Sequence, residues 1–232
     1  MVNQILFGET LNVLESTDEW FKIQSIYDKY EGWVTYHMIS GTNNETAHSE
    51  PKYIATSLTN PVTLPDQLIN APMGSLLTGY DEETRLLWDP LYKYHGTFRT
   101  SDRGFEPDFI LKTIYSWVNA PYLWGGKTFM GVDCSGFVQT CFKVQGIKLH
   151  RDAWQQAKQG TTIKDLKDAQ FADLAFFHNK QGRIVHVGII LEGNRIVHAS
   201  GKVRIDRLTT NGILNSETKS QTHELHSIRR VI

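Results

Sequence analysis

Alternating apolar and polar side chains dominate the first part of the chain. Between residues 1 and 40, apolar residues such as Leu11, Val13 and Ile23 recur beside polar ones at the two-residue period of a half-buried strand. Turn-forming residues separate these stretches. Residues 1–50 are therefore predicted to form a small β domain.

Two further stretches of different composition lie between this β domain and residue 104. Residues 41–51 are polar and rich in turn formers, which predicts a loop or linker. Residues 51–104 contain short β-like stretches interrupted by prolines, and proline is largely confined to the edges and bends of sheets. This segment is predicted to be a β-rich extension with a linker, or a degenerate second barrel.

A helical spacing replaces the alternation after residue 104. A helix is predicted over residues 105–118, where an early proline precedes an apolar stripe. A second helix is predicted to begin at Cys134, and a short third one to cover residues 153–159. Strand-like stretches follow at 174–177, 185–191, 195–198 and 203–205. Helices followed by an antiparallel sheet are typical of an α+β domain, which we place at residues 105–232.

The segment between the first two of these helices, residues 120–136, holds the strongest chemical signal. Proline and glycines prevent a regular element there, and Tyr122 and Trp124 add two large aromatic rings. Cys134 follows at the first turn of the next helix, where the positive end of the helix dipole lowers the pKa of a thiol. The segment thus predicts a reactive cysteine walled by aromatic side chains.

Two histidines in the predicted sheet are candidates to complete a catalytic set. His186 lies in the run 184–191, and His198 lies in the run 195–200. A cysteine, a distant histidine and a third polar group form the arrangement of papain-like enzymes. There, Cys134 would attack an amide carbonyl, His186 would transfer the proton and His198 would orient His186. Alternatively, a lone cysteine or histidine among apolar residues is simply part of the core.

The same three side chains are also chemically able to bind zinc. The sequence lacks the paired cysteine or histidine spacings that usually accompany zinc sites, so no metal and no cofactor are expected. The other cysteine, Cys141, lies seven residues after Cys134 on the same predicted helix, too far away for a disulfide. It is predicted to be a small buried apolar residue.

Composition and charge exclude several classes of protein. Of the 232 residues, 40% are hydrophobic and 21% are charged, which suits a globular chain in water. A net charge of −1 gives no reason to expect nucleic acid or an anionic membrane as a partner. The N-terminus lacks the basic and apolar regions of a signal peptide. We expect a cytoplasmic monomer, or an exported protein if a preceding segment was removed.

Four motifs together carry a resemblance to a known family. They are Tyr-x-Trp-Gly-Gly at 122–126, Asp-Cys-Ser-Gly-Phe at 133–137, His-Val-Gly-Ile at 186–189 and Val-His-Ala-Ser at 197–200. In their order and spacing the chain resembles the NlpC-type (NlpC/p60) cell-wall cysteine peptidases, and most of all the subgroup with an N-terminal bacterial SH3-like region. The resemblance implies a papain-like catalytic domain that cleaves the γ-D-glutamyl–diamino acid bond of murein peptides.

The resemblance also implies which side chains contact the substrate, a murein peptide with a free N-terminal L-Ala. The matching positions are Tyr122, Asp133, Ser135, Arg151 and Asp152. Trp124 is a further candidate because of its place in the aromatic wall, and the SH3-like region offers Glu9, Tyr30 and Tyr36. The two aspartates suit helix caps equally well, and the last three residues suit a solvated or packing role.

Two rival functions remain open at this point. The chain could be a wall-binding module with an inactive peptidase fold, or an amidase or acyltransferase on the same fold. The intact set of Cys134, His186 and His198 favours the peptidase.

Overall fold

The computed structural model describes residues 1–89 and 91–232. Residues 3–104 form one unit, and residues 105–232 together with Met1 and Val2 form a second. Each unit has an apolar core of its own. Among the described residues, no helix has the length and apolar character needed to cross a membrane.

The N-terminal unit begins with a three-stranded antiparallel sheet. Strands β1 (Leu11–Ser16), β2 (Trp20–Ser25) and β3 (Glu31–Thr35) are neighbours in that order. Ile23, at the centre of β2, is buried, while most of the polar positions beside it remain accessible. This is the alternation that predicted strands in the first 40 residues.

The rest of the N-terminal unit contains a short helix and further strands. The expected loop over residues 41–51 includes helix α1 (Asn44–His48), because the side chain of Asn43 accepts a hydrogen bond from the N–H of Thr46 and caps it. Strand β4 (Tyr53–Ala55) pairs with β8 (Phe98–Thr100). The second sheet has the order β6 (Gln67–Pro72), β5 (Thr59–Leu64), β7 (Lys93–Tyr94).

The C-terminal unit starts with helices, as the apolar spacing predicts. Helix α2 covers Pro107–Ser116 and buries Ile110 and Ile114. Helix α3 covers Cys134–Lys143, and all of its residues are buried, including Cys141. A short hairpin of β9 (Lys127–Thr128) and β10 (Gly131–Val132) lies within residues 120–136, so the expectation that this segment holds no regular element is wrong. Helix α3 follows the hairpin, and the short helix α4 (Ala153–Gln156) comes next.

A sheet of seven antiparallel strands forms the rest of this unit. Its strands are β11 (Thr161–Ile163), β12 (Leu174–His178), β13 (Ile184–Leu191), β14 (Arg195–Ser200), β15 (Lys202–Thr209), β16 (Gly212–Leu214) and β17 (Gln221–Arg230). They lie in the order β11-β17-β12-β13-β14-β15-β16, and β16 also pairs with β17. Strands β12 to β17 therefore close on themselves as a barrel.

One apolar cluster draws side chains from every strand of the barrel. Its buried members are Ala175, Phe177, Ile190, Ile196, Leu208, Ile213 and Ile228. Alternate side chains of a strand share a face, so His186 lies on the face of Ile190, and His198 lies on the face of Ile196. Helix α3 packs against β13 and β14. These relations fix where the candidate catalytic side chains lie.

Candidate active site

Cys134 is the first residue of α3, and its sulfur lies against the sheet. Asp133 caps the helix by accepting a hydrogen bond from the N–H of Gly136 at 2.7 Å. The Cys134 sulfur accepts hydrogen bonds from the backbone N–H groups of Ser135 and Val187. Val187 directly follows His186 on β13, so the sulfur lies next to the strand position that carries the candidate base.

The end of the β13–β14 pairing explains how the sulfur reaches this position. The two strands pair only over Gly188 to Leu191 on β13, which leaves the preceding residues outside that ladder. The N–H of Val187 donates to the Cys134 sulfur in place of a strand partner. A buried N–H needs an acceptor, and the start of α3 supplies one.

The protonation state of the thiol differs from the sequence expectation. Burial, followed by the neighbouring Asp133 carboxylate, raises the pKa of Cys134 to about 12. Burial and the nearby His198 and His223 rings hold the pKa of His186 well below its usual value. The shift of the Cys134 pKa is opposite in direction to the lowering expected from the helix dipole, and desolvation of the sulfur is its largest cause. Both shifts favour the neutral forms of the thiol and the imidazole.

A chain of hydrogen bonds runs inward from His186. The Nε2 of His186 lies 2.8 Å from the Nδ1 of His198, and both rings are buried. The Nε2 of His198 lies 3.0 Å from a carboxylate oxygen of Asp206, which is 1% exposed. Asp206 lies on β15 on the face of Leu208, so the three side chains meet within the barrel.

Asp206 is held as a carboxylate by further donors. Arg204 donates from Nε at 2.8 Å and from Nη2 at 3.1 Å, and the backbone N–H of Ser216 donates at 2.7 Å. Burial alone would raise the pKa of this carboxyl, but the hydrogen bonds from His198 and Arg204 prevail and hold it well below its usual range. The series of hydrogen bonds from His186 therefore ends on an ionised carboxylate.

A third histidine, His223 on β17, also lies at this end of the barrel. Its ring stacks on that of His186, with 4.2 Å between ring centroids and 23° between planes. Burial, and then the nearby His198 ring, lowers the pKa of His223 to about 4. His223 is half-buried, and no sequence motif pointed to its contact with the His186 ring.

The three imidazoles form a cluster of potential metal ligands. Ligand nitrogens of His186, His198 and His223 all lie within 4.8 Å of one another, so the strands create a cluster that no sequence spacing indicated. Two nitrogens already share a hydrogen bond at 2.8 Å. The nearly parallel stack of His186 and His223 keeps their in-plane lone pairs from converging on one ion. The arrangement as it stands fits a hydrogen-bonded chain better than a metal centre.

Asp133 and Arg151 form part of the scaffold beneath the cysteine. Arg151, which is 1% exposed, donates to both carboxylate oxygens of Asp133 at 3.0 and 2.6 Å. Arg151 also donates to the Ser135 hydroxyl at 2.9 Å, and the N–H of Gly125 donates to Asp133 at 2.9 Å. The helix-cap alternative thus holds for Asp133. Substrate contacts by Asp133, Ser135 and Arg151 stay predictions.

The other predicted substrate residues of this unit have different surroundings. Tyr122 is half-buried, and burial followed by the nearby Cys134 raises its pKa to about 12. Trp124 is 67% exposed on the loop before α3. Asp152 begins α4 and forms a capping box with Gln155, so its cap alternative also holds. Tyr122 is thus the aromatic residue that the structure brings close to the sulfur.

The three candidates in the N-terminal unit differ in burial. Glu9 is buried, and its carboxylate accepts a hydrogen bond from the N–H of Leu6 at 2.8 Å. Tyr30 follows the turn after β2, and Tyr36 is exposed, with its ring 3.8 Å from that of His37. Their role in substrate binding stays a prediction.

Comparison with known proteins places the chain in a family. The NlpC/P60 family matches residues 119–222, and the bacterial dipeptidyl-peptidase Sh3 domain matches residues 1–37. A gamma-D-glutamyl-L-lysine dipeptidyl-peptidase from Bacillus subtilis (strain 168) is 28% identical over 211 residues, which are 84% of this chain and 71% of that protein. A probable endopeptidase NlpC homolog from Haemophilus influenzae is 31% identical over 156 residues, 63% of this chain and 79% of that protein.

The fold has a relative among solved structures. An NlpC/P60 family protein from Bacillus cereus matches with a TM-score of 0.83 and 24% identity, covering 99% of this chain and 82% of that one. This match shows a fold with mixed helices and sheets, and a small N-terminal SH3-like region is consistent with the matches. The chain is a peptidase, as the names of its relatives indicate. It belongs to the NlpC/P60 family.

Proposed function

We propose that the chain is a cysteine peptidase that hydrolyses the γ-D-glutamyl–diamino acid bond of murein peptides with a free N-terminal L-Ala. The observation that carries the proposal is the hydrogen-bonded chain from His186 to Asp206 beside the Cys134 sulfur. The bond specificity is supported by relatives named gamma-D-glutamyl-L-lysine dipeptidyl-peptidase in two Bacillus species.

In the first step the sulfur of Cys134 attacks the γ-carbonyl carbon of the D-glutamyl residue. The thiol proton moves to His186 as the S–C bond forms, and the carbonyl π electrons move onto oxygen. Because the pKa of the buried thiol is raised to about 12, the proton transfer accompanies attack rather than preceding it. The N–H groups of Cys134 and Ser135, at the start of α3, are our candidates to stabilise the oxyanion.

In the second step the tetrahedral intermediate collapses. The carbonyl forms again, the C–N bond breaks, and His186 delivers its proton to the leaving amine of the diamino acid. The product is a thioester between Cys134 and the L-Ala-D-Glu fragment. Water then attacks the thioester with His186 as the base, which releases a carboxylic acid and restores the thiol.

His198 acts as the third, orienting group in this proposal. Its hydrogen bond to the Nε2 of His186 holds that ring, as the third member of a catalytic triad does in papain-like enzymes. A nucleophile at the start of a helix that packs on an antiparallel sheet supports a papain-like arrangement for residues 105–232. We further propose a cytoplasmic role on released peptides, since a required free N-terminus suits soluble fragments better than intact wall.

The experiment is a comparison of two peptides by mass spectrometry of the products. L-Ala-γ-D-Glu-L-Lys should yield L-Ala-D-Glu and L-Lys, whereas the same peptide acetylated on its N-terminus should be cut far more slowly. Equal cutting of both peptides would contradict the requirement for a free N-terminus. Absence of cutting in either would favour a wall-binding module, and cutting of simple amides or esters alone would favour an amidase or acyltransferase.

A further inference from the structure

We propose that Asp206 is a positioning residue that sets the tautomers of both histidines, so that His186 presents its unprotonated nitrogen, Nδ1, for the thiol proton. The proposal rests on the proposed function for its catalytic meaning. In physical terms, His186 donates a hydrogen bond to His198, and His198 donates one to Asp206.

The contact between Asp206 and His198 fixes the position of one proton. An ionised carboxylate can only accept hydrogen bonds, and Arg204 and the N–H of Ser216 keep Asp206 surrounded by donors. The Nε2 of His198, 3.0 Å from the carboxylate, must therefore carry a proton. Once that proton is fixed, a neutral His198 has a bare Nδ1.

The position of the proton on His198 then determines which nitrogen of His186 is protonated. The bare Nδ1 of His198 lies 2.8 Å from the Nε2 of His186, and two bare nitrogens at that distance would repel each other. With both rings in their neutral form, the proton must therefore lie on Nε2 of His186, which leaves Nδ1 of that ring as the acceptor. One carboxylate thus selects the basic nitrogen of a ring that it does not touch.

The same arrangement also serves the charged state of His186. When His186 takes the thiol proton, both of its nitrogens carry hydrogens, and the bond to His198 needs no rearrangement. The buried carboxylate at the end of the chain then attracts the new positive charge. A residue that acts only on folding would supply neither effect.

The local sequence carries only a weak sign of this role. Arg204 and Asp206 are two residues apart on β15, so they share a face of the strand. The register of β14 and β15 pairs His198 directly with Arg204. The carboxylate of Asp206 therefore lies diagonally beside His198. Only the pairing of β14 with β15 reveals that contact.

The test begins with the unmodified protein. Histidine-selective 15N labelling and long-range 1H–15N correlation at neutral pH report which nitrogen of each ring is protonated. We expect protonated Nε2 and bare Nδ1 on both His186 and His198. A bare Nε2 on His198 would overturn the proposal, whatever the enzyme turns out to cleave.

The variant Asp206→Asn replaces the acceptor that faces Nε2 of His198 by a donor. The Asn oxygen would take the place of Oδ1 and accept from Nη2 of Arg204 and the N–H of Ser216. The NH2 group would take the place of Oδ2, lose the contact with Nε of Arg204 and donate to Nε2 of His198. That forces the proton of His198 to Nδ1, and the proton of His186 to Nδ1 in turn. We expect both spectra to switch tautomer and kcat to fall by roughly a hundredfold or more, with little change in KM.

The matched control is Asp173→Asn, at another buried carboxylate of the same unit that pairs with an arginine. Asp173 is fully buried and accepts from Nε and Nη2 of Arg230, each at 2.8 Å, and from the N–H of Gln170. It should lose stability as Asp206→Asn does, yet keep both tautomers and kcat. Equal loss of kcat in the two variants at equal stability would overturn the positioning role.

The outcomes also separate this proposal from the proposed function. If the tautomers are as expected but no murein peptide is cut, the peptidase proposal fails and the tautomer assignment stands. If murein peptides are cut while Asp206→Asn keeps its tautomers and kcat, the peptidase proposal stands and the role of Asp206 is refuted.

Discussion

At the scale of single residues, the sulfur of Cys134 carries the proposed chemistry. We predict that Cys134→Ala lowers turnover by at least about ten-thousandfold, as loss of a catalytic nucleophile does elsewhere. The measurement is product formation by mass spectrometry. Cys141→Ala is the matched control, because Cys141 is fully buried within α3, and it should keep turnover while losing some stability. Turnover by Cys134→Ala would rule out the covalent route.

The raised pKa of Cys134 gives a prediction for the pH dependence of alkylation. Below its pKa a thiol gains about tenfold in thiolate fraction per pH unit. With a pKa of about 12, the rate of reaction with iodoacetamide should rise continuously from neutral pH to pH 10 in the substrate-free protein. Cys134→Ala supplies the background rate. A plateau already present at pH 6–7 would indicate a preformed thiolate–imidazolium pair instead.

The local sequence was sufficient for some of these residues and insufficient for others. Cys134, His186 and His198 lie in short motifs whose residue types suggest their chemistry. Asp206 and His223 lie in polar contexts without such a motif, and strand register alone brings them to His198 and His186. The pKa of Cys134 was misjudged because the helix dipole is a local property, whereas burial depends on the whole unit.

At the scale of elements, the buried pair of Asp133 and Arg151 anchors the start of α3. We predict that Asp133→Asn lowers the free energy of unfolding by roughly 3–5 kcal/mol, because it leaves the buried charge of Arg151 without its partner. Urea unfolding measures the loss. Glu15→Gln, which breaks an exposed ion pair with Lys22, should leave the urea midpoint nearly unchanged. Similar losses in both variants would contradict this view of α3.

The histidine-lined end of the barrel predicts how stability responds to acid. His186 and His223 have lowered pKa values in the folded protein, to about 4 for His223, whereas an unfolded histidine titrates near pH 6.5. The unfolded chain therefore binds protons first, and the free energy of unfolding should fall as the pH drops from about 6.5 toward 4. Thermal unfolding across that range measures the effect.

The control for the acid effect is His223→Gln, which removes one of the two titrating groups. Its free energy of unfolding should decline less steeply over the same pH range than that of the unmodified protein. The variant His226→Gln, on the same strand but exposed, should behave like the unmodified protein. A decline in His223→Gln as steep as that of the unmodified protein would show that His223 is not buried in its neutral form.

The elements themselves were predictable where one face is apolar. Helices α2 and α3 and strands β12 to β15 follow the spacing of their buried residues. Strand β17 was not predicted because one of its ten residues, Ile228, is buried and polar side chains fill most of the others, so no apolar alternation appears in its sequence. The short helix α1 was not predicted because its cap, Asn43, lies within a polar segment that also suits a loop.

At the scale of the whole molecule, closure of the barrel is the feature that sequence patterns could not supply. Strand β17 pairs with β12 and with β16, which are far from each other along the chain. That closure brings His223 to the histidine chain. Residues 3–104 belong to one unit and residues 105–232 to the other, while the predicted division into an SH3-like domain, a β-rich extension and a catalytic domain stays a prediction.

The central claim is that the sulfur of Cys134 attacks the γ-carbonyl of a D-glutamyl residue. A chloromethyl ketone made from L-Ala-γ-D-Glu places an alkylating carbon beside the nucleophile, and peptide mapping by mass spectrometry locates the label. We predict one label per chain, on Cys134 and not on Cys141, with activity lost in proportion and with protection by excess peptide substrate. Labelling of another residue, or full activity in a chain labelled at Cys134, would contradict the account.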